Sequence, residues 1–287
     1  MDNPLVSILM PCFNHEKYIA VAINSVLEQT YKNIELIIID DGSSDRTWAE
    51  IVKFKDHPNI TVQRQKNVGL IETLKILRKM ANGEYITILA SDDRFYPWKI
   101  EVMIDEFRRQ PDIIFCTGKT DIIDQNGNVI GNIVGEYDGE DDLYNRLING
   151  RTYVSSVSTI VKSAAYKAVD FFDPYIEDLP AWIQISGAGK TTTVGRIVAS
   201  YRRTSGSLSC NISKMIDSEM RIIKHYCNNN DVKKLPAGWC GRWFKAYAGI
   251  DAYKAINFLA SECCNIKIIF EKDFYKGIIK LITKRAL

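Results

Sequence analysis

The chain has 287 residues, a formal net charge of +2 and 25% charged residues. A chain of this length can bury a full core, and its near-neutral charge gives no support for a nucleic-acid partner. The seven cysteines form no CxxC pair and follow no secretory signal, so we expect reduced thiols in the cytoplasm. The three histidines lack metal-ligand spacing, which argues against a zinc site, and no apolar run approaches the length of a membrane span.

The first half of the chain alternates between strand patterns and helix patterns. Apolar, β-rich runs predict strands at VSILM, IELIIID, NITVQRQ, YITILA and DIIFCTG. Amphipathic or capped segments predict helices between them, including one from Leu70 to Met80 and one that begins near Pro97. Strands that alternate with helices predict an α/β fold with a doubly wound, mostly parallel sheet.

The second half of the chain is less regular. DQNGNVIG predicts a hairpin turn, and VSSVSTIV and VGRIVASYRR each predict a strand. Helical patterns dominate from residue 211 to residue 287, which predicts a helical C-terminal extension.

The stretch ISGAGKTTTVGR, residues 185–196, contains the Gly-Lys-Thr of a phosphate-binding loop. Such a loop also needs a Gly five residues before its second Gly, and Gln184 stands there. The Thr, Val and Ile residues that follow favour a strand over the start of a helix. We therefore predict a Gly-rich hairpin between two strands and no nucleotide site at this position.

Four polar clusters each follow directly after a predicted strand. They are PCFN, DDGSSD, QKNVG and SDD. In an open parallel sheet, ligands bind outside the carboxyl ends of the strands. The sequence therefore predicts one ligand site at this edge of the sheet.

Three aspartates in these clusters are candidate ligand-binding residues. Asp41 ends an apolar strand, and the serines after it are better placed to cap the next helix, so we predict that Asp41 accepts hydrogen bonds from a base or a ribose. Asp92 and Asp93 are adjacent in a turn segment without Cys or His ligands nearby in sequence. Such carboxylates suit Mg²⁺ or Mn²⁺ bridged to substrate phosphates, and a solvated turn is the alternative.

These motifs resemble glycosyltransferase family 2, whose members are inverting enzymes with the GT-A fold. The similar stretches are, in chain order, VSILMPCFNHEKYIAVAINSVLEQTYKNIELIIIDDGSSDRT, NVG, NGEYITILASDD, IED and YRRTSGSLS. The resemblance implies a GT-A domain over residues 1–210, with a nucleotide-binding half over about 1–118 and an acceptor-binding half over about 119–210. Residues 211–287 would form the helical extension.

The resemblance also implies roles for individual residues. Asp93 would coordinate Mn²⁺ or Mg²⁺, and Asp178 matches the family's catalytic base. Contacts to the nucleotide-sugar donor are implied at six positions, which are Pro11, Phe13, Asn14, Asp41, Asp92 and Arg202.

The chain departs from the family's motifs at several positions. Ala90 replaces the first acid of the usual Asp-Ser-Asp-Asp, so the metal depends on the later pair of acids. Pro180 and Gln184 replace an Asp and an Arg near the base, and Thr204 replaces the histidine of a YRxH motif. These changes bear on metal affinity and on the identity of the donor and the acceptor.

Transfer from a nucleoside-diphosphate sugar needs one base, because the diphosphate leaves as an anion that a divalent cation and an Arg can stabilise. Glu177 and Asp178 are an acidic pair just ahead of the aromatic residue Trp182. We predict that Asp178 deprotonates the acceptor hydroxyl, and that Glu177 and Trp182 contact the acceptor. Core packing of Trp182 is an equally weighted alternative.

These features predict a metal-dependent hexosyl- or N-acetylhexosaminyl-transferase that uses a UDP-sugar. The expected acceptor is a saccharide or a lipid-linked saccharide of the undecaprenyl diphosphate type, in the synthesis of bacterial O-antigen or capsule. A nucleotidyltransferase is one alternative, although PCFNHEKY lacks the Gly-rich, Arg-containing loop of that class. A non-catalytic protein that binds sugar nucleotides or polysaccharide is another, supported by the missing acid at Ala90.

The last segment, residues 267–287, has the pattern of an amphipathic helix. Apolar residues gather on one side of the helical wheel, namely Phe270, Phe274, Tyr275, Ile278, Ile279, Leu281 and Ile282. Lysines recur every four residues on the other side, namely Lys272, Lys276, Lys280 and Lys284. The pattern predicts, with equal weight, a helix packed on its own domain or an interfacial helix that gives a cytoplasmic protein a peripheral contact with the inner face of the membrane.

Overall fold

The chain divides into two compact units. The sheet unit comprises residues 1–141 and 154–205, and the helical unit comprises residues 142–153 and 206–287. The computed structural model describes residues 3–133, 137–139, 142–204, 207, 210–229, 235–261, 263 and 266–284. Parts of YRRTSGSLS and the last three residues of the chain lie outside this description. The short segment 142–153, which the predicted division assigned to the first domain, groups with the helical unit.

The sheet unit is built on one sheet, which has nine strands among the described residues. The strands are β1 (Val6–Cys12), β2 (Ile34–Asp40), β3 (Ile60–Arg64), β4 (Tyr85–Ile88), β5 (Arg94–Phe95), β6 (Ile113–Ile123), β7 (Val129–Asn132), β8 (Thr159–Lys162) and β9 (Lys190–Arg202). Their order is β3-β2-β1-β4-β8-β6-β9-β5, and β7 pairs with β6. The first four strands pair with one another in parallel, as do β6 and β9, while β5, β7 and β8 pair antiparallel. The predicted α/β fold with a mostly parallel sheet is confirmed.

Helices connect these strands and form most of the second unit. They are α1 (Ile19–Leu27), α2 (Thr47–Val52), α3 (Leu70–Met80), α4 (Lys99–Arg109), α5 (Leu143–Ile148), α6 (Ser163–Lys167), α7 (Asp178–Ala188), α8 (Ile212–Asn229), α9 (Ala237–Ile250), α10 (Ala252–Ser261) and α11 (Lys272–Lys284). Helices α1 to α4, α6 and α7 belong to the sheet unit, and the others to the helical unit. Within the part of the chain that the structure describes, no helix combines the length and apolarity needed to cross a membrane.

The central strands of the sheet are covered on both faces. Consecutive residues of a strand point to opposite faces of the sheet, and in β1 and β2 both faces are buried. Examples are Ile8 and Leu9 in β1 and Ile37 and Ile38 in β2. Strands buried on both faces read as continuous apolar runs, which is why VSILM and IELIIID predicted them correctly. Strand β1 continues two residues beyond the predicted end, to Cys12.

Two local predictions in the second half are wrong. Residues 185–188 lie in α7, and Gly189 ends that helix before β9 begins at Lys190, so the segment is a helix followed by a strand and not a hairpin. In VSSVSTIV, residues 156–158 form a 3₁₀ turn and the strand is limited to β8. The hairpin predicted at DQNGNVIG is confirmed by the pairing of β6 with β7.

The helical unit is organised around α9. Trp239 at the start of α9 donates from its Nε1 to the carbonyl oxygen of Leu147 (2.9 Å) and stacks on Trp243 at a ring-centroid distance of 5.3 Å. Helix α11 packs on the same helix, where the rings of Phe244 and Phe274 are 5.3 Å apart. Gly277 permits this close approach, because a Cβ there would lie 2.6 Å from the Phe244 ring.

The Gly-Lys-Thr sequence has no phosphate-loop geometry, because its lysine follows the carboxyl end of a helix. Lys190 Nζ lies 3.1 Å from Asp112 Oδ2, and both side chains are more than 70% exposed. We expect Lys190→Ala to leave UDP affinity, measured by calorimetric titration, unchanged within error. Asp112→Ala serves as the matched control for loss of the exposed ion pair, which contributes at most about 1 kcal/mol to stability. A large loss of affinity in Lys190→Ala alone would contradict this account.

Candidate functional site

The ends of β1 and β2 bring the first two polar clusters together. In the parallel register Cys12 lies beside Asp40, so the segments that follow leave the sheet side by side. Asn14 joins them, since its N–H donates to Ser43 Oγ (2.9 Å) and its Oδ1 accepts from the N–H of Ser44 (2.8 Å). Its φ of 54° is left-handed, a conformation that Asn adopts more readily than most residues. Asn14 therefore shapes the loop in addition to its predicted place at the donor site.

Asp41 fixes the shape of the loop that follows β3. Its Oδ1 accepts hydrogen bonds from Gln65 Nε2 and from the N–H of Val68, both at 2.9 Å, and its Oδ2 accepts from the N–H of Gly69 at 2.9 Å. A carboxylate has about four acceptor positions, so these three donors leave one position on Oδ2 for a ligand. The residue is 4% exposed, and its contact with a base or a ribose stays a prediction.

Apolar surface adjoins this carboxylate. Pro11 is half-buried near the end of β1, and Phe13, which directly follows the strand, is exposed. Val68, whose backbone N–H is bonded to Asp41, is also exposed. A flat base that hydrogen-bonds to Asp41 can cover apolar side chains of this kind.

Asp93 is not presented to a ligand. The residue is 3% exposed, and its Oδ1 accepts a hydrogen bond from the backbone N–H of Arg202 (2.7 Å). Burial, together with the neighbouring charge of Asp92, raises the pKa of Asp93 well above its ordinary value. The role of Asp93 as metal ligand stays a prediction, and the inward direction of its carboxyl group favours Asp92 for that role.

Asp92 is the accessible acid of this pair. Its carboxylate is partly exposed, and its Oδ2 lies 3.8 Å from Nε2 of His15. Its backbone carbonyl oxygen accepts a hydrogen bond from Arg202 Nε (2.7 Å). The turn is thus held through its main chain while the Asp92 side chain remains available.

Arg202 holds this turn. The residue is buried, and its NH1 group donates to the carbonyl oxygen of Asp124 (2.7 Å) in addition to the Nε bond to Asp92. Its guanidinium lies over the ring of Tyr18, 4.5 Å from the centroid. Arg202 therefore has a positioning role through Nε and NH1, and its donor contact stays a prediction.

The described residues contain no group of three His, Cys, Asp or Glu side chains that could enclose a metal ion. A divalent cation that binds together with a diphosphate needs fewer protein ligands. One or two carboxylates suffice, because phosphate oxygens and water complete its coordination shell. The accessible carboxylate of Asp92 fits that requirement. The residues present therefore suit a cation that arrives with a nucleoside diphosphate.

The second acidic pair lies at the start of α7. Glu177 precedes the helix and Asp178 is its first residue, where Asp178 Oδ1 accepts from the N–H of Leu179 (2.6 Å). Burial and the charge of Asp178 raise the pKa of Glu177 to about 8, and burial raises the pKa of Asp178 to about 6. The two adjacent carboxyl groups therefore resist simultaneous ionisation, and both hold a proton more readily than an exposed acid does.

Trp182 is a core residue. It is 1% exposed and stacks on Phe115 with ring centroids 4.9 Å apart. A buried ring cannot present its face to a sugar, so the predicted acceptor contact is wrong and the core-packing alternative holds.

Two residues of this region were not among the predicted site residues. Gly42 has φ +76°, and a Cβ there would lie 2.8 Å from the backbone nitrogen of Asn67, so only Gly lets the two loops approach. The DDG sequence after a strand is a signal for such a turn. His15 shares a hydrogen bond with Ser91 through Nδ1 (2.7 Å), and a lone His after PCFN gave no signal of this contact.

The family model for "Glycosyl transferase family 2" matches residues 7–167, more than half of the chain. The chain belongs to glycosyltransferase family 2. This assignment removes the nucleotidyltransferase alternative. The matched segment includes the first acidic turn and the loops of Asp41 and Asn14, whereas Asp178 lies beyond it.

Two family 2 relatives from Escherichia coli align with most of the chain. WfgD, a UDP-Glc:alpha-D-GlcNAc-diphosphoundecaprenol beta-1,3-glucosyltransferase, is 29% identical over 80% of this chain and 89% of its own length. WfaP, which carries the same description, is 29% identical over 77% of this chain and 86% of its own. The chondroitin synthase of E. coli is 36% identical, but over 45% of this chain and 19% of its own length.

The fold is also similar to that of a solved structure. The crystal structure of S. aureus TarS residues 1–349 in complex with UDP-GlcNAc superposes with a TM-score of 0.67 and covers 97% of this chain and 80% of its own. The sequence identity is 18%, so the likeness concerns the fold alone. It confirms the GT-A-type architecture.

Gly42 provides a test of the loop arrangement at the family 2 site. We expect Gly42→Ala to lower the free energy of unfolding by more than the roughly 1–2 kcal/mol of a left-handed alanine, because its Cβ also meets Asn67. Gly127→Ala is the matched control, since Gly127 has φ +89° and open space around a Cβ. Denaturant unfolding measures both variants, and an equal loss in the two would show that the contact with Asn67 is unimportant.

Proposed function

We propose that this chain transfers a hexose or N-acetylhexosamine from a UDP-sugar to a lipid-linked saccharide in a single inverting displacement. The observation that carries the proposal is the pair of adjacent acids at the start of α7, whose pKa values burial raises toward neutrality. A carboxylate with a raised pKa, as at Asp178, is suited to act as a general base. Asp178 and the strand-end loops of the donor region belong to the same compact unit.

The substrate class is proposed from the relatives. WfgD and WfaP, both aligned over most of their lengths, are described as transferring from UDP-Glc to alpha-D-GlcNAc-diphosphoundecaprenol. We therefore propose an undecaprenyl diphosphate-linked saccharide as the acceptor, in the synthesis of bacterial O-antigen or capsule. The departures at Pro180 and Gln184 fall beside the base, where differences in acceptor identity would be expressed.

In the proposed donor site, Asp41 Oδ2 accepts a hydrogen bond from the base, and the exposed Phe13 and Val68 cover its faces. Asp92 would hold a Mn²⁺ or Mg²⁺ ion, which would stabilise the negative charge of the leaving diphosphate. Asp178 accepts the proton of the acceptor hydroxyl as that oxygen attacks the anomeric carbon from the face opposite the diphosphate. Glu177 keeps its proton and adds no second negative charge beside the base.

The acidic pair gives the test of this function. We expect Asp178→Asn to bind UDP normally and to lower kcat by at least about a hundredfold, the usual lower range for removal of a general base. Glu177→Gln copies the protonated form of Glu177, so its kcat should fall by less than about tenfold. Radiolabelled sugar transfer to a synthetic lipid-linked acceptor measures both. Equal losses in the two variants, or retained turnover in Asp178→Asn, would contradict the assignment of the base.

The pH dependence follows from the same pair. Because only ionised Asp178 can accept a proton and its pKa is raised to about 6, kcat/KM should fall as the pH drops below about 6. Because burial raises the pKa of Asp178, the fall of kcat/KM at low pH should occur near the same pH in Glu177→Gln. If kcat/KM falls only near the ordinary pKa of an Asp side chain, the base is a different residue.

We also propose that α11 and the turn before it rest on the inner face of the membrane. In the structure the predicted apolar side of α11 is divided. Phe274, Ile278 and Leu281 are partly buried, whereas Ile279 and Ile282 are 59% and 64% exposed. Tyr275, one turn before Ile279, is also exposed, as is Phe270 ahead of the helix.

Lysines accompany this apolar stripe. Lys272, Lys276 and Lys280 are all exposed on the same helix. Exposed aromatic and Ile side chains beside lysines are complementary to a membrane that carries anionic lipid. One side of α11 packs in its own unit, which supports the predicted packed helix. A second apolar stripe remains uncovered by the described residues, which supports the predicted interfacial helix.

Ile279→Ser with Ile282→Ser tests this contact without disturbing buried side chains. At low salt, we expect the native chain to sediment with phosphatidylcholine vesicles that contain phosphatidylglycerol. The double variant should partition at least about tenfold more weakly, because it lacks the two Ile side chains that would be buried in the membrane. Val129→Ser with Ile130→Ser, two exposed residues of β7, is the matched control. Equal binding by both variants, or no binding by the native chain, would contradict a membrane role for α11.

A further inference from the structure

The imidazole of His15 stands between two neighbours of the first acidic turn. Its Nδ1 shares a hydrogen bond with Ser91 Oγ (2.7 Å), and its Nε2 lies 3.8 Å from Asp92 Oδ2. The His15 and Asp92 side chains are 32% and 13% exposed, so both are reachable from solvent. Ser91 itself is buried.

The main chain that carries the ring is fixed from several directions. The backbone N–H of His15 donates to Thr47 Oγ1 (2.8 Å), and its backbone carbonyl oxygen accepts from the N–H groups of Tyr18 and Ile19 (2.9 and 3.0 Å). The ring meets that of Tyr18 edge-on at a centroid distance of 6.3 Å. Side chains held in this way can act as ligands without a large cost of ordering.

The two atoms that face each other are both electron-pair donors when Nδ1 carries the proton. Nε2 then presents a lone pair to a carboxylate oxygen at 3.8 Å, which is too long for a charge-assisted hydrogen bond of about 2.7–2.9 Å. Two ligands of one divalent cation each lie about 2.1 Å from it and are therefore at most about 4.2 Å apart. The observed separation falls within that limit.

The hydrogen bond at Nδ1 is the second feature of a ligand histidine. Metal-bound imidazoles almost always donate their other ring N–H to an oxygen, which fixes the tautomer and aims the free nitrogen. Ser91 Oγ is in place to accept that bond at 2.7 Å. The arrangement thus orients Nε2 toward the carboxylate of Asp92.

We infer that His15 Nε2 and Asp92 Oδ2 together bind the divalent cation of the donor site, and that the site prefers Mn²⁺ to Mg²⁺. This inference rests on the proposed function, because phosphate oxygens of the donor and water complete the shell of the ion. Mg²⁺ keeps oxygen ligands, whereas a nitrogen ligand strengthens binding of a transition-metal ion. The metal site is then a mixed carboxylate and imidazole pair, with Asp93 outside it.

His15→Asn separates the two functions of the ring. The shorter amide can still reach Ser91 from the place of Nδ1, but it has no atom at the place of Nε2. His57→Asn is the matched control, because His57 lies in the turn before β3 and hydrogen-bonds the N–H of Asn59. Thermal unfolding of both variants verifies that the fold is retained.

The measurement is pulsed electron paramagnetic resonance on the full chain with Mn²⁺ and UDP, which detects nitrogen bound to the ion. We expect a ¹⁴N signal in the native chain and in His57→Asn, and its loss in His15→Asn. Calorimetric titration with UDP present should show about tenfold or greater loss of Mn²⁺ affinity in His15→Asn and less than about threefold change for Mg²⁺.

Asp92→Asn distinguishes failure of this inference from failure of the proposed function. If Mn²⁺ binds the native chain with UDP and requires Asp92, but no ¹⁴N signal is found or the signal survives in His15→Asn, the role of His15 is wrong and the donor site stands. If Mn²⁺ does not bind the native chain with UDP, or binds Asp92→Asn equally well, both assignments are wrong. Equal loss of Mg²⁺ and Mn²⁺ affinity in His15→Asn would overturn the proposed preference.

Discussion

The parallel pairing of β1 with both β2 and β4 is the constraint on which the donor region depends. It places Cys12 beside Asp40 and Leu9 beside Ile88, so the loops after three strands leave the sheet at one edge. Strands buried on both faces have no alternating pattern to fix their register. The hydrogen bonds of Asn14 across the two loops supply a register signal that the apolar strands lack.

Two pairs of adjacent acids, in different parts of the sheet unit, follow one electrostatic rule. Neighbouring carboxylates resist simultaneous ionisation, and burial increases this resistance. In the first pair, burial of Asp93 leaves Asp92 as the more accessible carboxyl group, and in the second, burial raises the pKa of both Glu177 and Asp178. Each pair therefore resists carrying two negative charges at once.

Periodicity and strand-end position predicted much of the fold and the location of the candidate site. Strand β2 and helix α3 have the predicted limits, because a continuous apolar run and an amphipathic run are both strong signals. Helix α7 was missed because most of its side chains are buried, including Trp182, so it has no polar stripe. The choice between Asp92 and Asp93, and the inward direction of Arg202, depend on tertiary contacts with residues far away in sequence.

The hydrogen bonds between Asp41 and the loop after β3 affect how the sequence of this loop can vary. Its bonds to Val68 and Gly69 go to backbone N–H groups, which every residue except proline possesses. The side chains at positions 66–68 are exposed, so they can be exchanged while the loop keeps its conformation. Natural variation or a focused library at these three positions can therefore change the surface beside Asp41 without rebuilding the scaffold.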